Sequence, residues 1–271
     1  MSESNRRRAR FDSPGVFLLL ALLTSSCASS PAGPPPPPPP GPQPGELGIL
    51  FVGNSLTYWN EMPVILHNLL ESAGAGPLHF EVVAFPNFGL EDHWVQGSAR
   101  ARIAEGGWEV VILQQGPSAT EGRPSLLEYS DRFADEIEAV GARTALYMVW
   151  PDRSRPFDFD GVSDSYKTAA ESVGGLLFPA GEAWRSAWDR DPDLDLYGSD
   201  GFHPSLLGSY LAALVMYEQL SDRDPRELPP EIPSASGTVA LSAEVAATVH
   251  EAAVEANTRF ALPAAVPGSA R

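Results

Sequence analysis

Two short segments, far apart in the sequence, carry the residue types needed for nucleophilic catalysis. Ser55 lies in the sequence GNSLT (Gly53–Thr57), and Asp200 and His203 lie three residues apart in SDGFHP. A serine hydroxyl attacks a carbonyl only when a base takes its proton, and an acid must fix the tautomer of that base. The three residues therefore predict a Ser–His–Asp triad if the fold joins the two segments. The alternative interpretation is a plain turn at Ser55 and a helix-capping Asp200 beside a surface His203.

The elements that would position these residues form an α/β pattern, in which apolar runs alternate with amphipathic segments. The predicted strands are Leu47–Val52, His79–Phe85, Trp108–Gln114, Thr144–Trp150 and Leu176–Gly181. The predicted helices are Met62–Gly74, Glu91–Glu105, Leu126–Gly141, Pro204–Leu220 and Ala240–Thr258. We therefore expect a three-layer α/β/α domain with a mostly parallel, five-stranded sheet. Ligands of such sheets bind beyond the carboxyl ends of the strands, which is where Ser55 follows the first strand.

The order of the motifs resembles that of the SGNH or GDSL hydrolases, over about residues 48–220. A strand-end GNS comes first, NFGLED follows the second strand, and DGFHP lies near the end. The resemblance implies a flavodoxin-like fold and an acyl-serine mechanism that needs no metal or organic cofactor. It also implies that Ser55, Asp200 and His203 form the triad, and that the backbone N–H groups of Ser55 and Gly89 bind the oxyanion.

One motif departs from the family pattern. Where most members carry GxND after the third strand, this chain has LQQGPSA (residues 113–119). A glutamine amide can donate a hydrogen bond as an asparagine amide does, provided that one more methylene fits. We expect Gln114 to be the third oxyanion donor, with Gln115 the second choice and Ser118 the third. Because adjacent strand residues face opposite sides, the two glutamines are not expected to serve together. The alternative is a glutamine that only satisfies backbone groups of the loop.

The N-terminus has the pattern of an export signal. Four arginines between residues 6 and 10 precede the apolar run Val16–Leu23, and small residues then lead to Cys27, the only cysteine of the chain. Eight apolar residues are too few to span a bilayer, which requires a helix of about 20. We expect residues 1–26 to be a lipoprotein signal peptide whose removal leaves Cys27 to carry lipid. Ordinary secretion and an incidental apolar N-terminus are the alternatives.

The rest of the chain divides by composition into a linker, a domain and a tail. Residues 27–45 are rich in proline and include the unbroken run Pro34–Pro40, which favours polyproline II structure. A disordered spacer is the alternative for this linker. Residues 46–262 carry the predicted strands and helices and form the expected hydrolase domain, and residues 263–271 are expected to be a disordered tail.

The charge of the chain limits its partners. It has 35 acidic and 18 basic residues and a net charge of −17. Loss of residues 1–26 removes four arginines and two acids, which takes the charge to −19. Nucleic-acid recognition requires a basic face, so no nucleic-acid partner is expected. Membrane contact is expected only through the lipid anchor, and the protein is expected to be exported, either membrane-anchored or otherwise periplasmic or secreted.

Several aromatic residues outside the motifs are candidates for substrate recognition. His93 and Trp94 follow Gly89 closely and are candidates for lining the pocket. Loops at the carboxyl edge of a sheet often set substrate choice, and aromatic rings can stack on a sugar. The candidates for stacking, in or beside the loop after the fourth strand, are Trp150, Phe157, Phe159 and Tyr166. The alternative is that these rings close the core.

Together, these patterns predict an exported serine esterase that acts through an acyl-serine intermediate on a small-molecule or glycan ester. The family resemblance and the export signal favour a carbohydrate acetyl ester, and a short-chain lipid ester is the alternative substrate. A rival function is a catalytically inactive glycan-binding module on the same fold, which the missing asparagine favours.

Overall fold

A parallel sheet forms the centre of the computed structural model, which describes residues 40–262. In that part of the chain its five strands are β1 (Leu47–Gly53), β2 (Leu78–Ala84), β3 (Val110–Leu113), β4 (Arg143–Tyr147) and β5 (Leu176–Phe178). The order is β2-β1-β3-β4-β5, and every neighbouring pair is parallel. The inner strands are continuous apolar runs, such as VVIL in β3, because both faces of the sheet are covered.

Helices form the layers on either side of this sheet. They are α1 (Ser55–Tyr58), α2 (Met62–Ser72), α3 (Leu90–Gln96), α4 (Ser98–Ala104), α5 (Arg123–Ala139), α6 (Phe159–Val173), α7 (Ala180–Arg190), α8 (Leu206–Ser221) and α9 (Ala243–Arg259). Helices α2, α7, α8 and α9 pack together in one layer, and α3 to α6 pack together in the other. The predicted three-layer α/β/α fold with a five-stranded sheet is confirmed.

Three features differ from the sequence-based expectation. The single helix expected over Glu91–Glu105 is two helices, because Gly97 adopts a φ of 87° and ends α3. Helices α6 and α7 occupy segments for which no helix is predicted. An antiparallel hairpin, β6 (Glu231–Ser234) and β7 (Gly237–Ala240), lies outside the main sheet.

The strand order places the segments after β1 and β3 side by side. From β1 the chain first adds β2 on one side and then crosses to add β3 on the other. Connections from neighbouring strands that leave in opposite directions open a crevice at the carboxyl edge of the sheet. The backbone of Gln114 still pairs with Val52 beyond the end of β3, at an N–O distance of 2.8 Å. The two motifs that follow these strands therefore meet at the crevice.

The predictions for the signal peptide, for Cys27 and for the tail concern residues 1–39 and 263–271, which lie outside the described residues. Of the linker, only residues 40–45 are described, and they contain no helix or strand. Among residues 40–262, no helix has both the length and the apolar character needed to cross a membrane.

Candidate active site

A sharp turn after β1 presents the serine of the GNS motif. Gly53 ends the strand, and a Cβ there would lie 2.3 Å from Thr57 Oγ1 and 2.6 Å from Gln114 Oε1, so a larger residue would have to displace these two side chains. Ser55 begins α1, and the side chain of Asn54 caps that helix by accepting a backbone N–H. The serine hydroxyl is thereby placed at the carboxyl edge of the sheet.

The fold brings the second motif to this serine. His203 Nε2 lies 2.9 Å from Ser55 Oγ, although the two residues are 148 positions apart. The other ring nitrogen, Nδ1, lies 2.6 Å from Asp200 Oδ2. With the proton on Nδ1 donated to the carboxylate, Nε2 is free to accept the serine proton. The geometry is that of a Ser–His–Asp triad, as the two motifs predict.

The acid of this arrangement is held by its own turn. Asp200 Oδ1 accepts hydrogen bonds from the backbone N–H groups of Phe202 and His203, at 3.0 and 2.9 Å. The hydrogen bond from the His203 side chain and those from the backbone lower the pKa of Asp200 to about 2. The carboxylate therefore stays ionised at neutral pH and fixes the tautomer of the imidazole.

Two aromatic rings contact His203. The indole of Trp59 stacks on the imidazole with 3.9 Å between ring centroids and 19° between planes. The ring of Phe202 meets it edge-on at 5.4 Å. Trp59 is not predicted as a site residue from the sequence, because no local pattern shows that the turn after α1 folds over the base.

An open cleft of about 370 Å³ lies over the nucleophile. Most of its lining side chains are polar: Asn54, Ser55, Asn87, Glu91, Asp92, Gln115, Ser118 and Ser125. The rings of Phe88 and Phe202 also border it. The cleft therefore combines polar groups that can orient a ligand with apolar surface.

Gly89 lies in this cleft, as the family resemblance implies, but its N–H group already has a partner. It donates to Asp92 Oδ2 at 2.8 Å, because Gly89 is the N-cap of α3 and Asp92 is the N3 residue of a capping box. The role of Gly89 as an oxyanion donor stays a prediction, and it requires that the Asp92 carboxylate first releases this N–H. The spacing Gly-x-x-Asp before an apolar helix is the signal that identifies this contact. By contrast, the N–H of Ser55 has no hydrogen-bond partner in the described part of the chain.

The structure contradicts the prediction that Gln114 is the third oxyanion donor. Its side chain is fully buried and does not line the cleft. Its Oε1 accepts from the backbone N–H of Asn54 at 2.9 Å and from the hydroxyl of Thr57 at 2.8 Å. Its amide group donates to the carbonyl oxygen of Gln115. Gln114 therefore stabilises the turn that carries Ser55 and does not face the cleft.

The second-choice glutamine reaches the cleft, but its amide is occupied. Gln115 Nε2 donates to Ser118 Oγ and to the carbonyl oxygen of Gly122, each at 2.9 Å. Its Oε1 accepts the backbone N–H of Leu90 at 3.0 Å. Gln115 thus braces the turn that carries Gly89, and Ser118, the third choice, is its partner. Both glutamines therefore bond to polar groups of the loops, which is the alternative that the sequence leaves open.

His93 lies beneath the cleft and does not line it. It is fully buried, and its Nε2 donates to the carbonyl oxygen of Gly53 at 2.7 Å. Burial lowers the pKa of His93, which keeps the ring neutral. Its Nδ1 has no partner in the described residues. Trp94 instead packs on Phe133 and under the guanidinium of Arg100, away from the lining of the cleft.

Most aromatic candidates for sugar stacking belong to the core. Trp150 is buried, stacks on Trp184 at 3.6 Å and donates through Nε1 to the carbonyl oxygen of Phe202. Phe159 and Tyr166 are also buried, and the Tyr166 hydroxyl bonds the carbonyl oxygen of Gln115. For these three rings the structure shows the alternative, that they close the core. Phe159 and Tyr166 lie in α6, for which no helix is predicted, so the sequence does not indicate that they face inward. Phe157 is 75% exposed but is not among the residues that line the cleft.

Comparison with known proteins adds structural relatives. No protein-family model and no curated protein sequence matches the chain. A candidate SGNH hydrolase from Slackia heliotrinireducens is 28% identical, with a TM-score of 0.57 over 64% of this chain and 98% of that one. A DUF4886 family protein from Bacteroides uniformis is 19% identical, with a TM-score of 0.63 over 81% and 98%. A Geobacillus acetyl-xylooligosaccharide esterase variant is 15% identical, with a TM-score of 0.50 over 64% and 94%.

Proposed function

From the SGNH hydrolase-like fold that the chain shares with these structures, we propose that it is a serine esterase acting through an acyl-serine intermediate. Esterase-type hydrolases are among its structural neighbours. The observation that carries the proposal is the hydrogen-bonded chain Ser55–His203–Asp200 at the edge of an open cleft. No step of this reaction needs a metal or an organic cofactor.

The geometry supports a two-stage acyl transfer. His203 Nε2 takes the proton of Ser55 Oγ while Oγ bonds to the ester carbonyl carbon, and the carbonyl electron pair moves onto oxygen. When this pair returns, the bond to the alcohol oxygen breaks and His203 protonates the leaving alcohol. Water then attacks the acyl-serine by the same route and releases the carboxylic acid. Asp200 stays ionised throughout and stabilises the imidazolium.

The oxyanion is assigned to backbone donors. Ser55 N–H is free within the described residues, and Gly89 N–H joins it once the Asp92 carboxylate has turned away. Each such donor is worth about 10²- to 10³-fold in turnover when it is aimed at the developing charge. The two glutamines serve indirectly, by holding the turns on which these donors lie.

We propose a short acyl group on a polar alcohol as the substrate. Most side chains that line the cleft are polar, and the rings of Phe88 and Phe202 border it. One structural neighbour acts, by its name, on acetylated xylooligosaccharides. We therefore place a carbohydrate acetyl ester first and a short-chain lipid ester second.

A glycan-binding module without activity is the second candidate. It is favoured by the engaged N–H of Gly89 and by the two glutamine amides, which all bond to protein groups. The intact contacts of Ser55 with His203 and of His203 with Asp200 oppose it, since a binding module has no need of them.

The place of the protein in the cell follows from the N-terminal pattern alone. We propose an exported protein that is anchored through lipid on Cys27, with the proline-rich residues 27–45 as the spacer between anchor and domain.

Hydrolysis assays test the proposed activity. Acetylated xylooligosaccharides and p-nitrophenyl esters of increasing acyl length are offered to the full chain, to Ser55→Ala and to Ser125→Ala. Ser125 also lines the cleft but has no contact with the triad, so its variant is a matched control. We expect short acyl esters to be cleaved by the wild type and by Ser125→Ala, and not by Ser55→Ala. Binding of the oligosaccharide without cleavage would favour the inactive module.

A further inference from the structure

The turn that follows the nucleophile helix is conformationally strained. Trp59 has extended backbone angles, and the next two residues, Asn60 and Glu61, adopt left-handed φ angles of 51° and 54°. Residues other than glycine rarely adopt such angles, and two in succession persist only where other contacts impose them. Backbone angles of this kind cluster at functional sites.

The side chain of Asn60 is held by the segment that carries the base. Asn60 Nδ2 donates to the carbonyl oxygen of Pro204 at 3.0 Å and to Ser209 Oγ at 2.9 Å, which uses both amide hydrogens. Pro204 directly follows His203. The Asn60 amide thus ties the turn after Ser55 to the segment of His203.

These two hydrogen bonds fix the position of the Trp59 ring. The indole of Trp59 lies flat against the imidazole of His203, and 38% of Trp59 is nevertheless exposed to solvent. A large apolar side chain left this exposed adds less to the core than a buried one does. Its main contact within the site is the imidazole face.

We propose that Trp59 is a positioning residue that holds His203 in line with Ser55 and stabilises the imidazolium formed when Ser55 loses its proton. This inference rests on the proposed esterase function. The face of an indole carries negative potential and attracts a cation within about 6 Å. The indole face attracts a neutral imidazole less strongly than an imidazolium, so the contact strengthens as the proton moves from Oγ to Nε2.

The charged groups near His203 do not occupy the ring face that Trp59 covers. Asp200 lies in the ring plane at Nδ1, and Asp152 lies farther out, near Asp200. Arg153 packs near Gly201 but is paired with Asp195 at 3.4 Å. No charged side chain contacts the imidazole face that Trp59 covers among the described residues.

Replacing the indole tests the inference on the reaction. In Trp59→Leu we expect kcat/KM for a p-nitrophenyl ester to fall about twofold to fivefold. The fall should lie in kcat and not in KM, because only the transition state carries the imidazolium. The inactivation rate with a fluorophosphonate should fall by the same factor. Trp59→Phe, which keeps an aromatic face, should recover part of the loss.

A matched pair of variants tests whether the tie matters. Asn60→Gly relieves strain but removes the bonds to Pro204 and Ser209, so it should reproduce the loss seen in Trp59→Leu. Glu61→Gly relieves strain at an exposed residue outside the tie and should leave kcat/KM unchanged. Equal activity in both glycine variants would overturn the positioning role.

An NMR measurement separates this inference from the proposed function. The ring-proton signals of the His203 imidazole, compared at one pH in wild type and Trp59→Leu, should move downfield in the variant because the stacked indole no longer shields them, whether or not an ester is cleaved. An unreactive wild type with this shift would contradict the esterase and keep the stacking role. A reactive wild type with unchanged ring-proton signals and an unchanged rate in Trp59→Leu would contradict the role of Trp59 and keep the esterase.

Discussion

Replacing Gln114 with Met should destabilise the fold and the active site together. The Gln114 side chain is fully buried, and its Oε1 is the acceptor for both the N–H of Asn54 and the hydroxyl of Thr57. Methionine has a similar length and leaves no large cavity, so the main change is two buried donors without an acceptor. An unpaired buried donor costs about 1 to 3 kcal/mol, and the Thr57 hydroxyl can rotate. We therefore expect the free energy of unfolding to fall by about 2 to 4 kcal/mol.

Urea unfolding and steady-state kinetics measure the two effects in the same protein. The denaturant midpoint should fall with little change in the slope, and kcat should fall because the turn that carries Ser55 is released. Thr57→Val, measured alone and together with Gln114→Met, provides the control. Since Thr57 and Gln114 share one hydrogen bond, the double variant should lose about 1 kcal/mol less than the sum of the single losses.

A structural role and an oxyanion role of Gln114 predict different results for Gln114→Met. If Gln114 donated to the oxyanion, its replacement would lower kcat about 10²- to 10³-fold and leave the free energy of unfolding unchanged. A loss of kcat with an unchanged free energy of unfolding would therefore refute the structural reasoning and restore the oxyanion role. Strictly additive losses in the Thr57 cycle would also refute it.

Three further predictions concern the acid, the buried histidines and the anchor. Asp200→Asn should lower kcat about 10²- to 10⁴-fold, less than Ser55→Ala, because nucleophile and base remain; equal losses would contradict this. Burial lowers the pKa of His93 and of His250 below 6.5, so the unfolded chain binds protons more readily and the free energy of unfolding should fall as pH drops through 6.5. Calorimetry at pH 5 to 8 checks this, and His250→Gln should flatten the slope. Cys27→Ser should move the protein out of the membrane fraction at unchanged specific activity; fractionation with N-terminal sequencing checks it, and a soluble wild type that starts elsewhere would contradict the anchor.

Much of the sheet is predictable because its signals are local. β1 and β3 are uninterrupted apolar runs, and such runs indicate strands buried on both faces. Helix α6 gives no such signal. Its buried residues do follow a helical period, as at Val162, Tyr166 and Ala169, but the segment also carries Gly161 and several serines, which are typical of a loop.

Only the site residues that lie in recognisable motifs can be predicted from the sequence. Ser55, Asp200 and His203 stand in recognisable short sequences, and the fold brings them together. Which way Gln114 points depends on the backbone of β1 beside it, since the Gln114 N–H pairs with Val52 and turns the side chain under the nucleophile. No property of the LQQGPSA sequence carries that information. The stacking of Trp59 on His203 likewise depends on bonds between segments far apart in the chain.

The central claim is that Ser55 is a nucleophile activated by His203. The most direct test is the reaction of the full chain with a fluorophosphonate, with the adduct located by peptide mass spectrometry. We predict one adduct, on Ser55, formed by wild type and Ser125→Ala and lost in His203→Ala. Absence of an adduct in the folded wild type, or an adduct on Ser118 or Ser125 instead of Ser55, would contradict it.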